Sequence, residues 1–176
     1  MYVVKHKLKR MVRGTAAALI LAVPMIPGTV VGQTADTTPE ELRTAAELLF
    51  TTPARHAEAA ELLCREADLR PSEDPRGIEA ELLCGKLYYY AGELSLSRRA
   101  LEDGAERALA VGDVIRAAHA YMDASLIAER QGRSRKVVVL AGQARMLARS
   151  PLLTPGQRFA IEGRIGDTIT STGVGM

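Results

Sequence analysis

Tryptophan is absent from this 176-residue chain, and aromatic residues make up only 4% of it. The chain therefore lacks the stacking platforms on which proteins hold single-stranded nucleic acid. Histidine is scarce as well, with three residues, His6, His56 and His119. Neither His56 nor His119 accompanies a glycine-flanked serine or clustered carboxylates, which excludes a catalytic triad and a paired acid and base. His119 and Asp123 lie one helical turn apart, the spacing of an ordinary surface pair. No glycine-rich phosphate loop, haem motif or zinc spacing occurs. The two cysteines, Cys64 and Cys84, have no nearby histidine and make a poor metal site. No catalytic residue, metal or cofactor is expected.

What is present is alanine, leucine and valine. Apolar residues reach 47% and charged residues 25%, ordinary globular values, and the length allows one domain with a core of its own. Small apolar side chains let helices approach closely.

Residues 1–32 are of a different kind. Lys5, Lys7, Lys9, Arg10 and Arg13 precede an apolar run from Ala16 to Val31, with no acid among them. A basic start, a short apolar stretch and a small-residue exit are the parts of a secretory signal. Cleavage is expected after Gly32 or after Ala35, leaving 33–38 as a linker. The alternative is a permanent membrane anchor through residues 15–31. Pro24 and Pro27 interrupt that run, and it falls short of the roughly 20 residues a span needs. The exported form is expected to be periplasmic or secreted.

Without those five basic residues, 18 of the 23 cations remain against 21 acids, so the mature chain is slightly acidic. The charge is uneven. Acids dominate from Asp36 to Glu81, whereas between Arg130 and Arg164 the sole acid is Glu162. Such a stretch is a solvated helix face in most chains; the alternative is a patch for anionic surfaces such as lipid headgroups.

Proline and glycine punctuate the remainder. Thr38-Pro39, Thr52-Pro53, Asp74-Pro75 and Thr154-Pro155 each place a capping residue before the helical position that tolerates proline. Gly112-Asp113 and Gly132 followed by Ser134 read as a stop and a new cap. Seven helices follow, over about 39–50, 53–69, 75–91, 94–111, 114–131, 134–149 and 155–165, with 166–176 as a flexible tail. The three- and four-residue steps Val114, Ala118, Tyr121, Met122, Ser125 and Leu126 in the fifth helix support this reading. The strand-like Lys136–Leu140 is too short to overturn it. The class is all-α.

The near twins at Ala59–Cys64 and Glu79–Cys84, and their cousin at Ala45–Phe50, are unequally spaced and fall on different helices. They are one local packing solution used three times. A longer period does exist. Gly85, Tyr88, Gly92, Ser97 and Leu101 occupy the glycine, tyrosine, turn-glycine, small and large positions of a helical hairpin. Ser125, Ala128, Gly132, Val137 and Ala141 do the same, with Pro151 closing, and Ala60, Cys64, Ala67 and Pro71 fit the second helix of an earlier unit. This pattern resembles the tetratricopeptide repeat. The turn glycines Gly92 and Gly132 are 40 residues apart, where the family repeats at about 34.

The resemblance implies a right-handed α-α superhelix over 39–165, made of three hairpins and a capping helix. In that cap Phe159 and Ile165 would face inward and Arg158, Glu162 and Arg164 outward. It also implies a concave groove, lined by the first helix of each hairpin, that holds a protein or peptide partner. The groove residues would be Glu79, Leu82, Lys86, Tyr89, His119, Met122, Leu126 and Glu129. Tyr89 and Tyr90 point away from the inward Tyr88 and offer large contact area at low entropic cost.

Cys64 and Cys84 fall on consecutive antiparallel helices, within a turn of facing each other. They form either a disulfide suited to an oxidising compartment or two buried thiols acting as small apolar residues. The expected function is a non-enzymatic scaffold in the cell envelope; the alternative is a membrane-surface protein held by an uncleaved start and a basic C-terminal face. N-terminal sequencing of the exported product is expected to begin at Gln33 or Asp36. A product that begins at Met1 and sediments with membranes indicates the anchor instead.

Overall fold

Thr38 opens the first helix by a reciprocal exchange. Its hydroxyl accepts from the Glu41 amide at 3.3 Å, and the Glu41 carboxylate accepts from the Thr38 amide at 2.9 Å. Asp74 and Asp113 cap later helices through the amides of Arg76 and Arg116. Thr154 and Gln157 repeat the reciprocal exchange at the last. In this computed structural model, which describes residues 37–171, the order is α1 (Pro39–Glu47), α2 (His56–Leu69), α3 (Pro75–Tyr90), α4 (Leu94–Ala110), α5 (Val114–Arg130), α6 (Ser134–Ala148) and α7 (Pro155–Ser171). Among the described residues there is no strand, and Val137–Leu140 belongs to α6. The expected signal or anchor at 1–32, the linker up to residue 36 and residues 172–176 of the expected tail lie outside the described residues.

Three boundaries differ from the sequence reading. α1 ends at Glu47, and Pro53–Arg55 form a short 3-10 turn before α2 begins at His56. Thr52 makes no side-chain capping bond, so Pro53 starts a turn instead of the helix. α7 runs to Ser171, past the expected end at 165, because no proline follows Pro155 to interrupt it.

The turns after α3, α4 and α5 are the same structure. Gly92, Gly112 and Gly132 take φ values of +84°, +79° and +68°, a left-handed conformation that costs glycine little. The next residue in each, Glu93, Asp113 and Arg133, donates back to the carbonyl of Tyr88, Ala108 and Ala128, at 2.8 to 2.9 Å. This is the Schellman closure of a helix end. Gly92, Gly112 and Gly132 lie 20 residues apart, so the regular unit is one helix plus one turn.

A three-residue connection leaves the next helix no choice but to run back along its predecessor. The contacts fix an antiparallel register. A Cβ placed on Gly85 would lie 2.8 Å from the side chain of Leu101, and one on Gly104 would lie 2.6 Å from that of Leu82. Moving back along α3 moves forward along α4. Ser97, fully buried beside this contact, donates its hydroxyl to the Gly85 carbonyl at 2.7 Å. On the other side of α3, Cys64 of α2 is bridged to Cys84, with their Cα atoms 5.5 Å apart.

Each helix packs on the next, and α7 reaches back to α5 as well as α6. Leu101, Tyr121, Met122, Leu140, Ile161 and Ile165 belong to one continuous core; Leu63, Cys84, Leu87 and Tyr88 belong to a second, under α1 to α3. The inward side of α7 is Ile161 and Ile165, both fully buried, while Phe159 is 79% exposed. Phe159 is therefore not the cap's inner residue. Two positions from Ile161 along a helix is more than half a turn around its axis, which carries Phe159 outward.

Gly85→Ala is expected to lower stability by about 1–3 kcal/mol, since the added methyl meets Leu101 in a packed interior. Gly142→Ala, in the exposed face of α6 with nothing within 4 Å of the new atom, should raise it by about 0.5–1 kcal/mol. Denaturant titration of both variants checks the pair, and equal effects refute the helix register.

Candidate functional site

A groove of about 720 Å³ lies between α3 and α5. Lys86, Tyr89 and Tyr90 come from α3, and Asp123, Leu126, Ile127, Glu129 and Arg130 from α5, with Leu101 of α4 beneath. Arginine and aromatics organise the walls. The Arg130 guanidinium lies 4.9 Å from the centre of the Tyr89 ring, a stabilising position over an aromatic face. Tyr89 meets the ring of Tyr90 edge-on at 5.6 Å, and Tyr90 meets His56 at 5.9 Å. The His56 ring is set by its Nε2, 3.0 Å from the Phe50 carbonyl. A row of rings thus runs from the start of α2 to α3 and ends under the Arg130 guanidinium of α5.

The charges in the groove are unequally engaged. Asp123 accepts from Arg164 of α7 at 2.5 Å, and Arg130 is spent on Tyr89. Lys86 is exposed. The groove therefore offers apolar floor and ring surface, with the exposed Lys86 and the Glu129 carboxylate among its lining.

Four of the eight residues that the sequence assigns to a groove line this one: Lys86, Tyr89, Leu126 and Glu129. Glu79 lies elsewhere, in a smaller cavity of about 290 Å³ against α1. Leu82 is partly buried against Gly104. His119 is half-buried and lines neither cavity. Met122 has 0% exposure and is core. α5 is packed by α4, α6 and α7 together, which leaves it a narrower open strip than a helix with two neighbours. Asp123 pairs with Arg164, not with His119.

The second cavity was not legible as a site. Glu66 is 0% exposed, with Arg43 donating to it at 2.7 and 3.3 Å and Arg70 at 2.9 Å. Arg70 also reaches Glu40 and Asp74. A buried carboxylate survives only with its charge and lone pairs met, and here two guanidinium groups meet them. The network fastens α1 to α2 and to the α2–α3 connection. Only the spacing of Glu66 and Arg70, one turn apart, signals it in the sequence.

Glu81 is different. Burial pushes its carboxyl up to about 7, against the pull of Arg107, and Asp103 and Asp68 add to the rise. Arg107 stands 3.5 Å away, yet it also donates to the carbonyls of Ala67, Pro71 and Ser72. Desolvation wins because the guanidinium is shared among four acceptors.

Among the described residues, no group of three or more metal-ligating side chains converges, and no helix is long and apolar enough to cross a membrane. Compared with protein-family models, with curated proteins and with solved structures, the chain matches none.

The raised Glu81 value fixes a sign. The folded protein holds this proton more tightly than the unfolded chain, whose carboxyl titrates near 4.5. The resulting stability is fully present below pH 4.5 and is lost as pH rises through about 7. Glu81→Gln removes that dependence. Parent stability minus variant stability should fall across this window and stay level above it, as measured by denaturant melts at a series of pH values.

Proposed function

We propose that the chain is an exported, non-enzymatic helical-repeat module whose α3–α5 groove binds an extended segment of a protein partner. In this reading the hairpins coil as a right-handed superhelix similar to a tetratricopeptide array, with α7 as its cap. The observation that carries it is the groove itself, an apolar and tyrosine-lined channel between the first helices of two successive hairpins. Glu79, on the face of α3 seven residues before Lys86, meets α1 in the second cavity, which supports one shared face for α1, α3 and α5.

The lining suits binding better than chemistry. Tyrosine and arginine are the residues that dominate binding energy at interfaces, and the lining side chains include no serine, cysteine or histidine. Leu101, Leu126 and Ile127 provide the floor for an apolar side chain of the partner, while Lys86 fixes a polar group beside it. The Cys64–Cys84 bridge supports export, because disulfides persist in oxidising compartments. The signal-like residues 1–32 support it independently.

Selection of random displayed peptides on the immobilised protein tests the groove. Peptides so recovered should bind Tyr89→Ala about 30-fold more weakly than the parent, the loss expected for a residue worth about 2 kcal/mol at an interface. Lys86→Glu should change which flanking charges are selected, and Glu79→Lys should change neither. Equal affinity for parent and Tyr89→Ala overturns the reading.

A further inference from the structure

The solvent side of α6 carries a surface that the groove does not use. Arg135, Val138, Val139, Arg145, Met146 and Arg149 are all exposed. At 100° per residue they fall within one arc of about 120°, opposite the buried stripe of Val137, Leu140, Ala141, Ala144 and Ala148. Cations and apolar groups are interspersed along that arc. Val139 is 54% and Met146 70% exposed, and Leu152, in the connection that follows, is 70% exposed.

The arginines on this face are clustered and share no ion pair, unlike those at the helix seams. Arg43, Arg70, Arg98, Arg107, Arg116 and Arg164 each meet a carboxylate. Among the salt bridges of the described residues, none includes Arg135, Arg145 or Arg149. Nor does the sequence supply partners nearby, for no aspartate or glutamate occurs from 131 to 161. A face that is cationic and apolar at once, and free of acids, is complementary to a surface that is anionic outside and apolar just beneath.

We infer that the outer face of α6 is a docking surface for an anionic lipid bilayer, with its arginines on the headgroups and Val138, Val139 and Met146 at the acyl boundary. The helix lies along the surface rather than through it, as amphipathic interfacial helices do. An acidic protein would satisfy the arginines alone; the exposed valines and methionine between them fit the layered chemistry of a bilayer better. The surface shares no residue with the α3–α5 groove, so the assignment stands apart from the proposed peptide binding.

Sedimentation of the full chain with vesicles tests it. Vesicles of phosphatidylglycerol and phosphatidylcholine in equal parts should carry the parent down, and pure phosphatidylcholine should not, with binding weakening as salt rises. Arg145→Glu/Arg149→Glu should reduce partition by about tenfold or more, since each basic group near an anionic leaflet adds measurably to attraction. Val139→Ser/Met146→Ser should reduce it at high salt, where the apolar contribution remains. Arg99→Glu, an exposed arginine of α4, should leave it within twofold. All these positions are exposed, and circular dichroism confirms that the variants fold. The inference fails if the α6 variants sediment like the parent or if Arg99→Glu loses as much. It also fails if the parent ignores anionic vesicles while binding polyglutamate.

Discussion

The structure rests on how closely one helix can lie against the helix it has just turned away from. Glycine in the left-handed conformation at 92, 112 and 132 closes each helix and reverses the chain within three residues. A reversal so short gives no freedom to splay. The facing surfaces must then be smooth, and they are: Gly85 receives Leu101, Gly104 receives Leu82, and the core between helices is largely alanine. Stability comes from many small contacts repeated along the chain, each of the dispersion kind that only close packing provides.

Charge follows from the same closeness. Where helices meet at α1, α2 and α3, the carboxylate of Glu66 is enclosed completely, and it takes both Arg43 and Arg70 to keep it there. Glu81, enclosed at the α3–α4 seam, has a single shared guanidinium and answers by holding its proton. Glu66 is the more deeply buried of the two and has two guanidinium partners, where Glu81 has one shared among four acceptors. Arg107 is the contrast on the cationic side. It seals the open carbonyls after α2, acting as a cap delivered from another helix.

Much of this was legible. Proline after a capping residue located the starts of α1, α3 and α7, and Gly92, Gly112 and Gly132 located the ends of three helices within a residue or so. Ser97 and Leu101 were identified as the small and large partners of one seam, and they form it. The groove was half legible. Lys86, Tyr89, Leu126 and Glu129 depend on which side of a single helix a residue faces, and period alone gives that. Met122 depends on a third helix arriving later in the chain, whereas Phe159 lies about 200° around α7 from Ile161, a difference that period also gives. Glu66 was hidden because an acid on a helix looks the same in sequence whether it faces water or two arginines. Local pattern reads one helix at a time; burial is decided by neighbours.

The last helix therefore does more than end the stack. Ile161 and Ile165 enter the same core as Met122 and Leu140, so the surface that α5 and α6 would otherwise expose is covered. Its Arg164 reaches Asp123, which is also a wall of the α3–α5 groove. Without that guanidinium, Asp123 would present an uncompensated carboxylate beside Leu126 and Ile127, and the channel would have an acidic wall. The polarity of the groove is thus set partly by an element that contributes no lining residue to it. A change at the far end of the chain alters the groove through one ion pair, and the groove's apolar character depends on α7 being seated.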